Sequence, residues 1–537
     1  MSVPELSDNL IHRVNVGDTL TRTAARRPGA VALVQDDRRL TYAQLDTEVN
    51  RFAHALTARG YARGDTLGLA SGNSIEFLVV YYACAKLGLV CVPVNLGWRS
   101  DEVAYVLGHA GVRGIVVEAQ LVDVISPAVA EVPAVTETIV APGTGVAWDP
   151  AAGRVAWAEV VDGADTGPVE VVVGDRDPLT YLYTSGTTAF PKGVVGNHTA
   201  IYLESMAMAL EAEFRPDDRF VAVLPMFHTA QLNCFCTPVV MRGATLFIER
   251  GFDAARMLAL ITAERVTQIF CLPVMYRAML DHPDIAAADL SSLRRACYAM
   301  APMPDAQLDR CLAVFDCDFY LLFGQTEMSP TVTLFRPEHQ LSHRGAVGTP
   351  VVNVQVAIMV DGELRGVGVE GEIVYRGPHA LTGYLQDADA TAAAFADGWF
   401  HSGDIGRFDD DGVLWFSDRS KDVIKTGGEN VASVEVEKAV YDADSRIAEA
   451  VVVGLPHERW SEAVTAFVVP KPGEQIDADA VVAAVKARIG GFKAPKAVVV
   501  VEALPKTSTG KIQKHLVRRE HDGFYAAPAD VTSRVTP

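Results

Sequence analysis

Tyr183-Thr-Ser-Gly-Thr-Thr-Ala-Phe-Pro-Lys-Gly-Val194 is the segment on which the reading of the fold turns. Thr184, Ser185, Thr187 and Thr188 surround Gly186, and Lys192 follows. The apolar stretch Leu179–Tyr183 just before it predicts a strand, so the loop leaves the end of a sheet. Hydroxyls, backbone N–H groups and one lysine in a turn suit phosphate oxygens. The loop is not a Walker loop, because G-x-x-x-x-G-K-[ST] is absent. A Ser/Thr-rich surface turn has a similar composition, so the segment needs its neighbours to be interpreted.

On the N-terminal side, Leu45, Val49, Phe52, Ala53 and Leu56 share one helical face. Thr66–Ala70 predicts a buried strand, Ile75–Leu87 a helix and Leu89–Val94 the next strand. That order implies a parallel sheet covered on both faces. A second series is expected from about Pro178 to Thr333, with strands at Val221–Leu224, Gln268–Leu272 and Phe319–Phe323. From Gly345 frequent glycines and short β-rich segments predict an antiparallel, barrel-like layer. A charged junction, Asp418-Arg-Ser-Lys-Asp422, precedes a compact pattern that runs to about Arg519. The expected class is α/β: a large N-terminal domain of two parallel-stranded subdomains plus the barrel-like layer, then a small α+β domain. The expected boundaries are 1–419, a hinge at 420–422, a small domain at 422–520 and a frayed tail at 521–537.

The chain has 537 residues, enough for more than one domain. Its 47 Lys plus Arg against 67 Asp plus Glu give a net charge of −20, which argues against nucleic acid or an anionic membrane as main partner. An anionic substrate therefore needs a local site. Lys486–Arg519 offers one, with nine basic residues against the single acid Glu502. This predicts a locally basic lid over an acidic body. The eight cysteines show no secreted pattern and are expected as buried free thiols in a reducing compartment. The opening residues lack a basic segment followed by an apolar one. The apolar run near Leu78–Leu96 is broken by Lys86, Pro93 and Asn95, too short to span a bilayer. A cytoplasmic protein is expected.

The phosphate loop closely resembles the signature of the adenylate-forming superfamily, which includes acyl-CoA synthetases, luciferases and peptide-synthetase adenylation domains. Further segments resemble that family in order along the chain. They are Leu40-Thr-Tyr-Ala-Gln-Leu45, Leu224-Pro-Met-Phe-His228, Phe323-Gly-Gln-Thr-Glu327, Gly398-Trp-Phe-His-Ser-Gly-Asp404, Asp418–Asp422 with Gly427-Gly-Glu-Asn430, and Pro505-Lys-Thr-Ser-Thr-Gly-Lys511.

The resemblance implies ATP, Mg²⁺ and CoA, and roles for particular residues. Lys511 bridges carboxylate and phosphate during adenylation. Glu327 is the Mg²⁺ ligand, and Thr326 lies beside the phosphates. Thr184, Ser185, Gly186, Thr187, Thr188, Lys192, Ala301, Pro302, Phe323 and Gly324 hold the nucleotide, with Phe323 stacked on adenine. Asp404 binds the ribose hydroxyls, aided by Arg419. His228, Thr229, Gln231, Asn233, Tyr298, Ala299, Met300 and Met328 line the acid pocket. Lys421 is the hinge of a mobile small domain, which brings Gly427, Gly428 and Glu429 forward for thioester formation.

Three departures from the family pattern stand out. Ala189 replaces a loop glycine, at a cost of about 1 kcal/mol if the position is left-handed; either the loop adapts or ATP handling weakens. Gln231 stands where glycine is common. Ala299 and Met300 replace a small pair. The last two predict a pocket for a bulky or partly polar acid. No acidic residue follows His228 until Glu249, so the expected acid lacks an α-amino group.

Two other patterns carry no chemistry. Gly366–Gly371 matches G-x-G-x-x-G but leads into a strand candidate, so it predicts a turn. His339 and His343 lack a third metal ligand and are expected as a solvent-exposed pair. No G-x-S-x-G elbow occurs. The leading expectation is an acyl-CoA synthetase acting on a small-molecule, non-amino carboxylic acid of bulky or specialised kind, with a homo-oligomer possible. The alternatives are an adenylating enzyme serving a carrier protein or nitrogen nucleophile, and a member that has lost one half-reaction.

Overall fold

The computed structural model describes residues 6–143, 153–184, 191–300, 303–507 and 510–525. Two large sheets share one core. The first has seven strands, in the order Arg154–Ala156, Glu137–Ala141, Gly114–Glu118, Thr66–Ala70, Val90–Pro93, Pro178–Thr184 and Lys192–Asn197. All pairs are parallel except the last, the antiparallel hairpin of Pro178–Thr184 with Lys192–Asn197. The second has nine strands, in the order Thr349–Pro350, Thr331–Phe335, Asp318–Gly324, Arg295–Tyr298, Gln268–Cys271, Arg219–Ala222, Thr245–Ile248, Val31–Gln35 and Arg38–Thr41. Its six middle strands are parallel and its edge pairs antiparallel.

Thr66–Ala70 and Ile75–Leu87 form as expected, and the other expected strands shift by a residue or two. Sheet membership differs from the expected division. Val31–Gln35 crosses to the second sheet, while the hairpin 178–197 completes the first. The helix Ile75–Leu87 explains the long apolar run, because every one of its residues is buried. Ser74 caps its start and Gly88, at φ 68°, its end. Leu45, Val49, Phe52, Ala53 and Leu56 are all buried on the helix Tyr42–Ala58. The Leu40–Leu45 segment has a local physical reason: Thr41 and Gln44 form a reciprocal capping box at that helix start.

A five-stranded antiparallel sheet follows, in the order Glu363–Arg365, Gln355–Val360, Gly371–Arg376, Phe400–Phe408 and Leu414–Arg419. Gly366–Gly371 lies in one of its hairpins, as a turn. The small domain builds its own core on strands Ile424–Thr426, Glu429–Val431, Ile447–His457, Ser461–Pro470 and Ala497–Val500. Helices Ser433–Ala443 and Ala478–Ile489 cover it, and Val517 of the helix Lys514–Glu520 packs in a second small cluster. The expected fraying from 521 does not hold for the described part of that tail. Phe524 and Tyr525 pack against the second cluster, and the Tyr525 hydroxyl lies 3.0 Å from Thr465 Oγ1.

His339 and His343 are not the expected exposed pair. Their rings lie 5.2 Å apart, and His343, with a side chain only 15% exposed, faces Asp411 at 3.1 Å. Packing of the His343 ring against Trp415 and beside Asp409 takes most of it out of solvent. No group of three or more metal-binding side chains occurs among the described residues. All eight cysteines are free, seven of them buried. Among the described residues no helix is long and apolar enough to cross a membrane. Thr41→Ala should cost about 1 kcal/mol by removing the capping box, seen as a lower thermal midpoint, while Thr41→Ser should keep the wild-type value.

Candidate active site

Asp404 and Arg419 sit directly opposite each other on the last strand pair of the five-stranded antiparallel sheet. Asp404 is only 2% exposed, and Arg419 Nε lies 2.9 Å from its Oδ1. The two are not aligned for a hydrogen bond, so Oδ1 has no hydrogen-bond partner among the described residues. Burial pushes the Asp404 carboxyl above its usual range; Arg419 and Lys511 draw it back, and Glu327 pushes it further. A buried carboxylate oxygen beside an arginine and without a hydrogen-bond partner fits a ligand hydroxyl.

Lys511 reaches this pair from the small domain. It sits in a tight turn in which Thr507 Oγ1 accepts the Lys511 N–H at 3.1 Å and Lys506 bridges Ile512. Gly510, at φ 80°, brings the turn against the large domain: a Cβ there would lie 3.2 Å from Leu272. Lys511 as a whole keeps solvent contact. The protein packed around its ammonium, and the Arg419 charge, lower its pKa from 10.5 to about 8, against the pull of Asp404.

Glu327 lies in the turn Thr326–Met328, after the strand Asp318–Gly324. Its carbonyl accepts Leu381 N–H at 2.7 Å, and its Oε1 accepts the Tyr384 hydroxyl at 3.0 Å. Gly324 admits no side chain, since a Cβ would meet the Pro330 carbonyl at 1.9 Å. Phe323 is half-buried, with its ring centroid 5.5 Å from that of Phe416. Thr184 and Lys192 pair across the mouth of the hairpin. Lys192 Nζ stands 5.1 Å from the Tyr384 ring centroid and 3.9 Å from Asp387. Ser185, Gly186, Thr187, Thr188, Ala189, Ala301 and Pro302 lie outside the described residues. Glu327 alone does not make a metal cage. One carboxylate with an oxygen to spare does suit Mg²⁺, which completes its shell with phosphate oxygens and water.

Of the expected pocket residues, His228, Gln231 and Met300 line one small cleft with Leu224 and Pro225. Asn73 fixes that wall, accepting Met226 N–H and donating to the Leu224 carbonyl, both at 2.9 Å. Burial lowers His228 from 6.5 to about 4, and its Nε2 has no partner among the described residues. Met300 adopts φ 70°, where a side chain costs about 1 kcal/mol, and stays 37% exposed. Gln231 is less available than expected, because its Oε1 accepts Leu224 N–H at 3.2 Å. Thr229 and Asn233 turn inward: Asn233 donates to Thr229 Oγ1 at 2.9 Å and accepts the Tyr81 hydroxyl at 3.2 Å. Tyr298 donates to Gln340 at 2.8 Å, and Ala299 and Met328 are buried.

Lys421, Gly427, Gly428 and Glu429 are exposed. The Gly427 N–H bonds the Trp460 carbonyl within the small domain. The expected basic lid is largely neutralised by acids of the same region. Arg488 pairs with Asp442, Lys493 with Glu435, Lys506 with Glu449, Lys514 with Glu437 and Arg518 with Asp422. Lys496 bonds backbone carbonyls and overlies Trp460. Tyr384 and Asn73 were missed by sequence reasoning; the segment carrying Tyr384 is held against the hairpin by the Val194–Tyr384 bridge and by flanking backbone bonds to Gly193 and Val195.

Residues 20–385 match the family model described as "AMP-binding enzyme", and 435–511 match the "AMP-binding enzyme C-terminal domain". A feruloyl-CoA synthase of Streptomyces sp is 34% identical over 509 residues, 94% of this chain and 98% of that protein. A fatty acid–[acyl-carrier-protein] ligase of Streptomyces coeruleorubidus is 35% identical over 505 residues, 92% of this chain and 94% of that one. The crystal structure of an anthranilate CoA ligase in complex with anthranoyl-AMP superposes with TM-score 0.88 at 25% identity, covering 98% of this chain and 100% of that chain.

The neutral, buried His228 makes a stability prediction. Its folded pKa of about 4 lies below the unfolded value near 6.5, so protons favour the unfolded chain. Its contribution is full above about pH 6.5 and is lost as pH falls towards 4. His228→Phe should therefore flatten the fall of the unfolding midpoint between those values. An unchanged slope would contradict the buried neutral imidazole.

Proposed function

The chain belongs to the family of AMP-binding enzymes, and on that premise we propose that it activates a carboxylic acid without an α-amino group and joins it to the thiol of CoA. The observation that carries this reading is the buried Asp404–Arg419 pair, with its unsatisfied Oδ1, beside Lys511. In the first step the acid's carboxylate attacks the α-phosphorus of ATP; a C–O–P bond forms and pyrophosphate leaves, giving acyl-AMP. Asp404 accepts the ribose hydroxyls, and Phe323 packs on the base. Lys511 keeps most of its protons at pH 7 and holds two anions that would otherwise repel each other. Thr326 and Lys192 lie along the phosphates. Mg²⁺, held by Glu327, supplies charge neutralisation of the phosphates when bound. Tyr384 orients the Glu327 carboxylate.

In the second step the CoA thiolate attacks the acyl carbonyl and AMP leaves. The small domain turns at Lys421, withdrawing Lys511 and presenting Gly427, Gly428 and Glu429. His228 and Met300 narrow the acid cleft, which favours a bulky or partly polar acid over a straight alkyl chain. ATP, CoA and eight free cysteines are in keeping with a reducing, cytoplasmic setting. A carrier-protein acceptor is the second reading, favoured by the likeness to the carrier-protein ligase.

ATP–pyrophosphate exchange with a panel of acids, without CoA, tests the first step. Aromatic or other bulky acids should give faster exchange than palmitate, and Lys511→Ala should lower it about 10²- to 10³-fold. Exchange should fall as pH rises through about 8, where Lys511 loses its proton. CoA-dependent release of AMP from supplied acyl-adenylate separates CoA from carrier protein as the acceptor. Palmitate as the best acid, or exchange indifferent to Lys511, would overturn the reading.

A further inference from the structure

A buried polar chain crosses the hinge, and nothing in the nucleotide site uses it. Asp418, 2% exposed, precedes Arg419 on the strand Leu414–Arg419 of the large domain. Its Oδ1 accepts the Arg419 N–H at 2.8 Å. Its Oδ2 accepts both the N–H and the hydroxyl of Ser433, at 2.5 and 2.6 Å. Ser433 is fully buried and begins the small-domain helix Ser433–Ala443. Having given its proton to Asp418, the Ser433 hydroxyl accepts one from Lys514 Nζ at 2.5 Å. Lys514 also pairs with Glu437 at 2.8 Å, and Glu437 Oε1 accepts Val452 N–H at 2.9 Å. Lys514 stands three residues after Lys511, at the start of the helix Lys514–Glu520. An unbroken run of hydrogen bonds thus joins the strand that holds Arg419 to the segment that holds Lys511.

We infer that Asp418, Ser433 and Lys514 form a positioning chain that holds the small domain with Lys511 facing Asp404, and so favours acid activation over the thioester step. Asp418 and Ser433 lie on opposite sides of Lys421, so rotation there parts them. Charge-assisted bonds are the strong ones, and a buried network is costly to leave half-made. Keeping these bonds therefore weights the domain orientation seen here. The inference rests on the proposed roles of Lys511 and of a turning small domain. A simple staple for the helix start would give the same bonds but would not distinguish the two half-reactions.

Ser433→Ala removes the middle of the chain and leaves the groups around the nucleotide in place. In the ligand-free protein, deuterium uptake by the backbone amides of residues 419–436 should rise at least about tenfold. Acid-dependent ATP–pyrophosphate exchange should fall about tenfold, while CoA-dependent conversion of supplied acyl-adenylate stays at the wild-type rate or above. Asp418→Asn, which keeps an acceptor without the charge, should fall between the two. Equal loss of both half-reactions with a lower melting midpoint would overturn the inference in favour of a structural staple. Unchanged uptake and unchanged partition would also overturn it. A wild-type protein that gives no exchange with any acid sinks the activity reading instead, and amide uptake then decides the chain alone.

Discussion

A carboxylate taken out of water needs a cation, and Asp404 has Arg419 across the strand pair. Removing one member of such a pair leaves an uncompensated buried charge, at a cost of about 3–5 kcal/mol. Much of the site is arranged around this requirement. The register Asp404↔Arg419 fixes the end of the five-stranded sheet, and the chain leaves for the small domain only two residues later. Asp418, beside Arg419, accepts the N–H of Ser433 at the start of the helix Ser433–Ala443. Lys511 is brought close enough that Arg419 lowers its pKa while Asp404 raises it. The Glu327 charge pushes the Asp404 carboxyl upwards. Four charged groups from both domains thus share one mouth, with a spare acceptor at its centre. That balance is what a ligand carrying hydroxyls and phosphates would complete.

The frame of the fold was largely legible in the sequence. Apolar strand runs, capping residues and turn glycines are local signals, and the elements they mark are present. The motif Leu40–Leu45 has an immediate reason in the Thr41–Gln44 capping box. Sheet membership was not legible, because Val31–Gln35 and the hairpin 178–197 pair with strands far along the chain. The basic run 486–519 misled for the same reason. The acids that neutralise it, Asp422, Glu435, Glu437, Asp442 and Glu449, lie earlier in sequence and meet it only through packing.

The site was legible unevenly. Asp404, Arg419, Lys511 and Glu327, each singled out from a separate motif, lie within electrostatic reach of one another. The pocket did not follow the one-dimensional pattern. A π-turn at Leu232–Cys236 follows the short helix Thr229–Gln231, and Asn233 bonds Thr229 rather than facing the cleft. Met300 occupies a left-handed position that favours glycine, which aims a flexible thioether at the cleft wall. His228 stays neutral there, an imidazole with one unsatisfied nitrogen. Tyr384 and the Asp418–Ser433 contact are purely tertiary, and no spacing rule would mark them.

The central claim is that the buried Asp404–Arg419 pair and Lys511 together bind an adenylate. A crystal structure with a non-hydrolysable acyl-sulfamoyl adenosine tests it most directly. The ribose hydroxyls should lie on the Asp404 carboxylate, with Lys511 Nζ about 3 Å from an oxygen of the sulfamoyl group. The acyl group should lie between His228 and Met300. An adenosine seated away from Asp404, or bound there with Lys511 turned out to solvent, would contradict it.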